Sequence, residues 1–223
     1  MVSDKELRTS VQAELQWDPS IRDEDIAVAV NGGVVTIAGV VDSYAQRLSA
    51  ERAAMRVKGA RAVANELTVK LPNAFERSDS ELAHAAVDAL HWSVQVPEDK
   101  VQVKVANGWI TLEGEVEYFF QREAAEKAVR YLTGVKGVAN LVTLKIRPAQ
   151  GDIKQRIRNT LTRHAALDAD HVTVELKGKK AILGGSVRSV AEKRDAERAA
   201  WNAPGVTSVE NDLVVTPLAE AAI

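Results

Sequence analysis

Apolar positions along the chain follow two spacings that alternate in a fixed order. Leu7, Val11 and Leu15 stand four apart, which keeps them on one face of a helix. Ile26, Val28 and Val30 then alternate with other residues, as do Val35, Ile37, Gly39 and Val41, the period of strands with one face buried. Asn31-Gly32-Gly33 separates the two runs, and these residue types accept the positive φ of a tight hairpin. Ala50, Ala53, Ala54 and Val57 return to helical spacing, with side chains small enough to bring the helix close to a sheet. Val63, Leu67 and Val69 close the run as a further strand.

The same order returns twice, at offsets of 75 and then 71 residues. The first-helix positions recur as Leu82, Ala86, Leu90 and as Ile153, Ile157, Leu161. Asn107-Gly108 and Lys177-Gly178-Lys179 stand at the hairpin turn, and Ala125, Ala128, Val129, Leu132 and Ala196, Ala199, Ala200, Ala203 on the second helix. Gly39, Gly114 and Gly185 coincide, as do Gly59, Gly134 and Gly205, Asn65, Asn140 and Asn211, and the basic residues Arg47, Arg122 and Lys193. The predicted fold is α+β: three tandem αββαβ modules over 1–71, 77–147 and 149–217, each a small mixed three-stranded sheet with two helices on one face. The strand–helix–strand crossover is expected to be right-handed. Strand order does not follow from the pattern. The linkers, Leu71 to Ser78 and Arg147 to Gly151, are short, and a module of this size has a modest core, so the copies are expected to pack against one another.

Three repeated positions have structural readings. The strand glycines make room for helix packing or mark a bulge. Gly59, Gly134 and Gly205 suit helix C-caps. The asparagines, read at the start of a strand after a turn, suit backbone hydrogen bonding.

Composition narrows the function. The 223 residues carry 29 Lys and Arg against 31 Asp and Glu, which leaves no basic excess for nucleic acid. The chain has no cysteine, so thiolate nucleophiles and sulfur-ligated metals are excluded. No apolar run is long enough for a membrane helix, and Met1-Val2-Ser3-Asp4 does not open a secretory signal. The expected location is the cytoplasm, or the periplasm if a signal segment precedes Met1. His84 and His91 are too far apart on one helix for a shared metal, and His164 and His171 have no carboxylate partners at a recognisable spacing. No metal or cofactor is expected. Gly184-Gly185-Ser186 lacks the spacing of a nucleophile elbow, and no phosphate loop is present. This reading finds no acid, base or nucleophile repeated in the three copies and does not expect an enzyme.

The pattern resembles the BON family, named for bacterial osmotically inducible and nodulation proteins. The residues that carry the resemblance are the strand Val35-Thr36-Ile37-Ala38-Gly39-Val40-Val41 with its counterpart Ile110 to Val116, the alanine-rich second helix, the Gly134-Val135 and Gly205-Val206 turns, and the endings Val63-Ala64-Asn65-Glu66-Leu67 and Val209-Glu210-Asn211-Asp212-Leu213. The resemblance spans nearly the whole chain and is similar to soluble triple-module members. It implies a role in osmotic or envelope stress and contact with anionic phospholipid or with proteins at a surface.

Candidate surface residues follow from it. Trp17 and Trp92 end the first helices of two copies, where the third has Arg163. A Trp there can anchor at a membrane interface, with His91, Val94 and Val96 beside Trp92, or can cover the edge of its own core or form the contact between modules. Tyr118-Phe119-Phe120 is expected to turn one ring to the core and leave the others for an inter-module contact or a lipid-facing patch. Lys177, Lys179 and Lys180 crowd one hairpin tip and could meet anionic headgroups. Trp109 and Trp201 read as ordinary packing residues. A cytoplasmic scaffold or chaperone-like protein without lipid affinity is the alternative. A small-molecule binder is a further one and needs a pocket that sequence does not reveal.

Overall fold

The computed structural model describes residues 2–145, 155, 157, 159–160, 171–203 and 205–216. Arg147 to Gly151, Ile153, Leu161, Arg163 and His164 lie outside the described residues. Ile157 lies within them, buried in the third core.

Module one runs α1 (Asp4–Trp17), β1 (Ile26–Asn31), β2 (Val34–Val41), α2 (Tyr44–Arg56) and β3 (Ala62–Val69). Module two repeats it as α3 (Asp79–His91), β4 (Val101–Ala106), β5 (Trp109–Val116), α4 (Phe119–Val129) and a third strand in two pieces, β6 (Gly137–Asn140) and β7 (Thr143–Leu144). Module three contributes β8 (Val172–Lys177), β9 (Lys180–Val187), α5 (Val190–Trp201), β10 (Ser208–Asn211) and β11 (Val214–Val215). The second strand is central in every sheet, antiparallel to the first and parallel to the third. The tight turn fixes the hairpin pairing, and the crossover helix then returns the chain to the one free edge of the central strand.

Each module buries one face of its sheet. Val35, Ile37 and Val41 point inward with Leu7, Val11 and Leu15 of α1 and Ala50, Ala53 and Ala54 of α2. Val34 and Val40 of the same strand stand exposed on the open face. The copies keep separate cores of the same design.

Local chemistry sets the element ends. Ser3 and Glu6, and Ser78 and Glu81, form reciprocal capping boxes at the starts of α1 and α3. Their Ser-x-x-Glu spacing is legible in the sequence. The next residue ties helix to hairpin: Asp4 accepts from the Gly32 and Gly33 amides at 2.8 and 3.0 Å, and Asp79 from those of Asn107 and Gly108, both at 2.8 Å. Gln150 stands at that offset in copy three, outside the described residues.

Two readings of the glycines change. At Gly39 (φ +136°) a Cβ would meet the Asp25 carbonyl oxygen at 1.9 Å, at Gly114 that of Lys100 at 2.0 Å, and at Gly185 that of His171 at 2.1 Å. The close approach is to the backbone entering the first strand, not to a helix. Gly59, Gly134 and Gly205 are not C-caps either. They lie beyond the helix ends, at the third position of turns closed by Ala60 N–H to Val57 O, Val135 N–H to Leu132 O and Val206 N–H to Ala203 O. Their φ values of +102°, +98° and +95° suit that position, where glycine is favoured.

Candidate functional site

Among the described residues the most exposed aromatic side chains stand where α1 and α3 end. Trp17 and Trp92 are 85% and 83% exposed, and Val94 is fully exposed. Val96, by contrast, is buried in the second core, as Ile21 is in the first. The Trp92 amide donates to Asp88 O, the Ser93 amide to Leu90 O and the Val96 amide to Ser93 O, so successive turns hold Val94 outward while Val96 anchors the loop. The His91 ring meets Trp92 edge to face and approaches Glu98 at 3.7 Å. Beside Trp17, the Ser20 hydroxyl and amide hold the Asp18 carboxyl below the usual carboxylate range, and Arg56 pairs with Glu14 at 2.9 Å. The two tryptophans are therefore not covers for their cores.

The aromatic triplet divides differently from expectation, since none of its rings joins the buried core of module two. Tyr118 and Phe120 stack on each other with centroids 5.6 Å apart, and both are exposed. Phe119 faces module three and stacks on Trp201 at 5.0 Å and 7°. Trp109 lies over Gly137 on the neighbouring strand, where its ring occupies the place of a side chain. Among the lysines, Lys180 pairs with Glu210, whose carboxyl that hydrogen bond holds below its ordinary range. Lys177 is exposed and Lys179 half-buried. No hydrogen bond, ion pair or ring contact joins this turn to the Trp92 loop among the described residues.

The asparagines lie inside or at the end of the third-strand segment rather than at its start, and a repeated acid holds them. Asn65 donates to Glu51 at 3.0 Å, Asn140 to Glu126 at 3.3 Å and Asn211 to Glu197 at 3.0 Å. Each also donates to a helix carbonyl, of Arg47, Arg122 or Lys193, and accepts from the amide two residues on. The basic side chains reach back to strand carbonyls: Arg47 to Asn65 O, Arg122 to Asn140 O and Lys193 to Leu213 O. Glu51, Glu126 and Glu197 thus correct the expectation that no acid recurs. They keep the offsets of 75 and 71 and were visible in the sequence. Their partners make them structural residues that lock the second helix to the third strand.

Contacts run from each module to the next. Tyr44, the first residue of α2, bonds through its hydroxyl to the Val138 backbone of module two, and burial, with the Glu126 charge, pushes that hydroxyl's pKa up. Phe119 holds the equivalent place in module two and meets Trp201 of module three, with Arg122 6.0 Å from the same ring. Arg198 reaches back to Glu123 at 3.3 Å, and Arg194 to Glu51 of module one at 3.2 Å. A cavity of about 270 Å³ lies between modules one and two and a smaller one of about 150 Å³ between two and three. Among the described residues no three His, Asp or Glu gather as a metal centre requires, and no helix is long and apolar enough to cross a membrane.

Comparison with known proteins agrees with this architecture. The BON domain profile matches residues 3–70, 78–146 and 149–217. Osmotically-inducible protein Y of Escherichia coli (strain K12) is 30% identical over 145 residues, which cover 62% of this chain and 71% of that protein. Two solved structures of CdsD, described as a structural protein of the type III secretion system of Chlamydia trachomatis, align over 95% and 97% of this chain and 93% and 100% of theirs. Their identities of 13% and 12% and TM-scores of 0.28 and 0.27 carry no argument. The three profile matches, falling on three modules of one αββαβ design, decide the matter: the chain belongs to the BON-domain family and carries three copies of the domain in tandem.

Proposed function

We propose that this chain is a non-catalytic binding protein of the osmotic-stress response that meets anionic phospholipid surfaces through the loops carrying Trp17, Trp92 and Val94. The observation that carries the reading is the exposure of both tryptophans, 85% and 83%, at one repeated position that the cores do not use. Their amphipathic rings suit a headgroup interface. Taking about 80 Å² of one ring out of water contributes about 2 kcal/mol at ~25 cal/mol per Å². Two such contacts on one chain reinforce each other when both reach the surface together. Lys177 and Lys179 add attraction of about 1 kcal/mol per charge near anionic headgroups, whereas Lys180 is held by Glu210. The stress role is supported by the likeness to osmotically-inducible protein Y.

The test is co-sedimentation with liposomes, with and without phosphatidylglycerol, at low and high salt. Salt-sensitive pelleting with the anionic liposomes, abolished by the double substitution Trp17→Ala with Trp92→Ala at an unchanged melting temperature, is the expected result. A protein that stays in the supernatant throughout sinks the lipid reading. The scaffold reading then takes its place, supported by the exposed stacked pair Tyr118 and Phe120.

A further inference from the structure

The two successive module junctions are built from the same repeat positions and differ in what fills them. At the second junction the ring of Phe119 is stacked on that of Trp201. At the first, the same offsets place Tyr44 opposite Arg130. Tyr44 turns its hydroxyl to the Val138 backbone, Arg130 lies over its neighbour Tyr131 at 4.7 Å, and among the described residues no Trp lines the space between the modules. What remains is the larger cavity, about 270 Å³. Its walls include Leu71, the exposed rings of Phe75 and Tyr131, and Tyr44. Arg130 also lines it, and its Nε is buried with no hydrogen-bond partner. The Arg130 side chain as a whole is half-buried, and a charge-assisted hydrogen bond from a guanidinium to an anion is stronger there than in open water. The cavity also opens on the start of α2, where the helix dipole favours negative charge and the Ser43 hydroxyl already accepts from the Gln46 amide. Asp42, the acid in the lining, is paired with Arg22 at 2.6 Å, and Glu126, whose charge reaches the Tyr44 wall, is held by Asn140.

We infer that the cleft between the first two modules binds a small aromatic carboxylate. Its ring takes the place that Trp201 fills at the second junction, and its carboxylate accepts from Arg130. The cleft is larger than its counterpart at the second junction, about 270 against 150 Å³, and the difference leaves room for a ring. The site lies apart from the Trp17 and Trp92 loops and does not depend on the surface-binding reading.

The probe is 3-phenylpropionate, with its neutral amide, 3-phenylpropionamide, as control, titrated into the full-length protein and followed by amide chemical shifts. Saturable shifts confined to the Ser43 to Ala45 and Thr133 to Val135 backbone are expected, with a dissociation constant of about 1 mM or tighter. The amide should bind at least about tenfold more weakly, and Arg130→Gln should weaken the acid by a similar factor. Arg130→Trp places in the cleft the ring found at the second junction, so it should keep the fold and abolish binding. Phe75→Ala alters an exposed wall residue, so it should weaken binding several-fold without lowering the melting temperature. Acid and amide binding equally well, binding that survives Arg130→Trp in a folded protein, or shifts that never saturate would each overturn the assignment.

Discussion

Arg194 in α5 and Glu51 in α2 lie 143 residues apart in sequence and 3.2 Å apart in space, so the third module closes back on the first. Glu51 divides its carboxylate between two tasks: one oxygen meets Arg194 and the other accepts from Asn65 of its own module. Glu197 is divided likewise between Asn211 and the Trp201 indole N–H, at 3.0 and 3.5 Å. The repeated acid therefore stands where the internal lock of a module meets the junction with its neighbour.

The two halves of that arrangement should have different costs. Arg194→Ala removes a half-exposed ion pair and should destabilise the protein by at most about 1 kcal/mol, less at high salt. Glu51→Ala removes the same pair and also leaves one Asn65 amide hydrogen without an acceptor, the other still meeting Arg47 O, and should cost about 1–3 kcal/mol, the larger part of it independent of salt. Urea unfolding of both variants at two salt concentrations checks this, and equal costs would show that the Asn65 bond contributes nothing.

The strand glycines admit no side chain. Gly39→Ala forces a Cβ onto the Asp25 carbonyl at a φ of +136° and should cost at least about 3 kcal/mol. Gly32→Ala, at φ +57° with nothing within 4 Å, meets only the backbone penalty of about 1 kcal/mol. Thermal unfolding of the pair distinguishes steric exclusion from a general glycine preference.

The junction between modules two and three should be energetically coupled. Phe119→Ala and Trp201→Ala, alone and together, should give a coupling energy of about 0.5–1.5 kcal/mol for a stacked aromatic pair. A coupling near zero would mean that the rings meet without holding the modules together.

Within one loop, neighbouring apolar residues should behave oppositely. Trp92→Ala and Val94→Ser should leave stability within about 0.5 kcal/mol of the parent, because both side chains stand in water. Val96→Ala should cost about 2 kcal/mol, because it leaves a cavity in a closed core.

The capping boxes predict a dependence on acid. The Ser3 backbone amide and hydroxyl hold the Glu6 carboxyl below its ordinary 4.5, and the Ser78 hydroxyl and amide do the same for Glu81. Because the folded values are lowered, the stabilisation is present above pH 4.5 and is lost as the pH falls through them. The double substitution Glu6→Gln with Glu81→Gln should flatten the stability profile below that point and leave the shape above it unchanged. A parallel loss in parent and variant would show that other carboxylates govern the acid limb.

Much of this molecule is a consequence of local pattern. Helical spacing at Leu7, Val11 and Leu15, alternation along Val35 to Val41, and the turn at Gly32 and Gly33 are enforced within a few residues of chain. Their return at fixed offsets therefore specifies three modules. The repeated Glu51, Glu126 and Glu197 were equally visible, yet only the hydrogen bonds to Asn65, Asn140 and Asn211 gave them a meaning. The strand order, the reason for Gly39, and the separate fates of Tyr118, Phe119 and Phe120 depended on groups brought together from distant parts of the chain. So did the space beside Arg130. A periodic pattern states which face of an element is apolar, but not which partner covers it, and at the junctions the partner decided whether an aromatic ring filled a space or left it open.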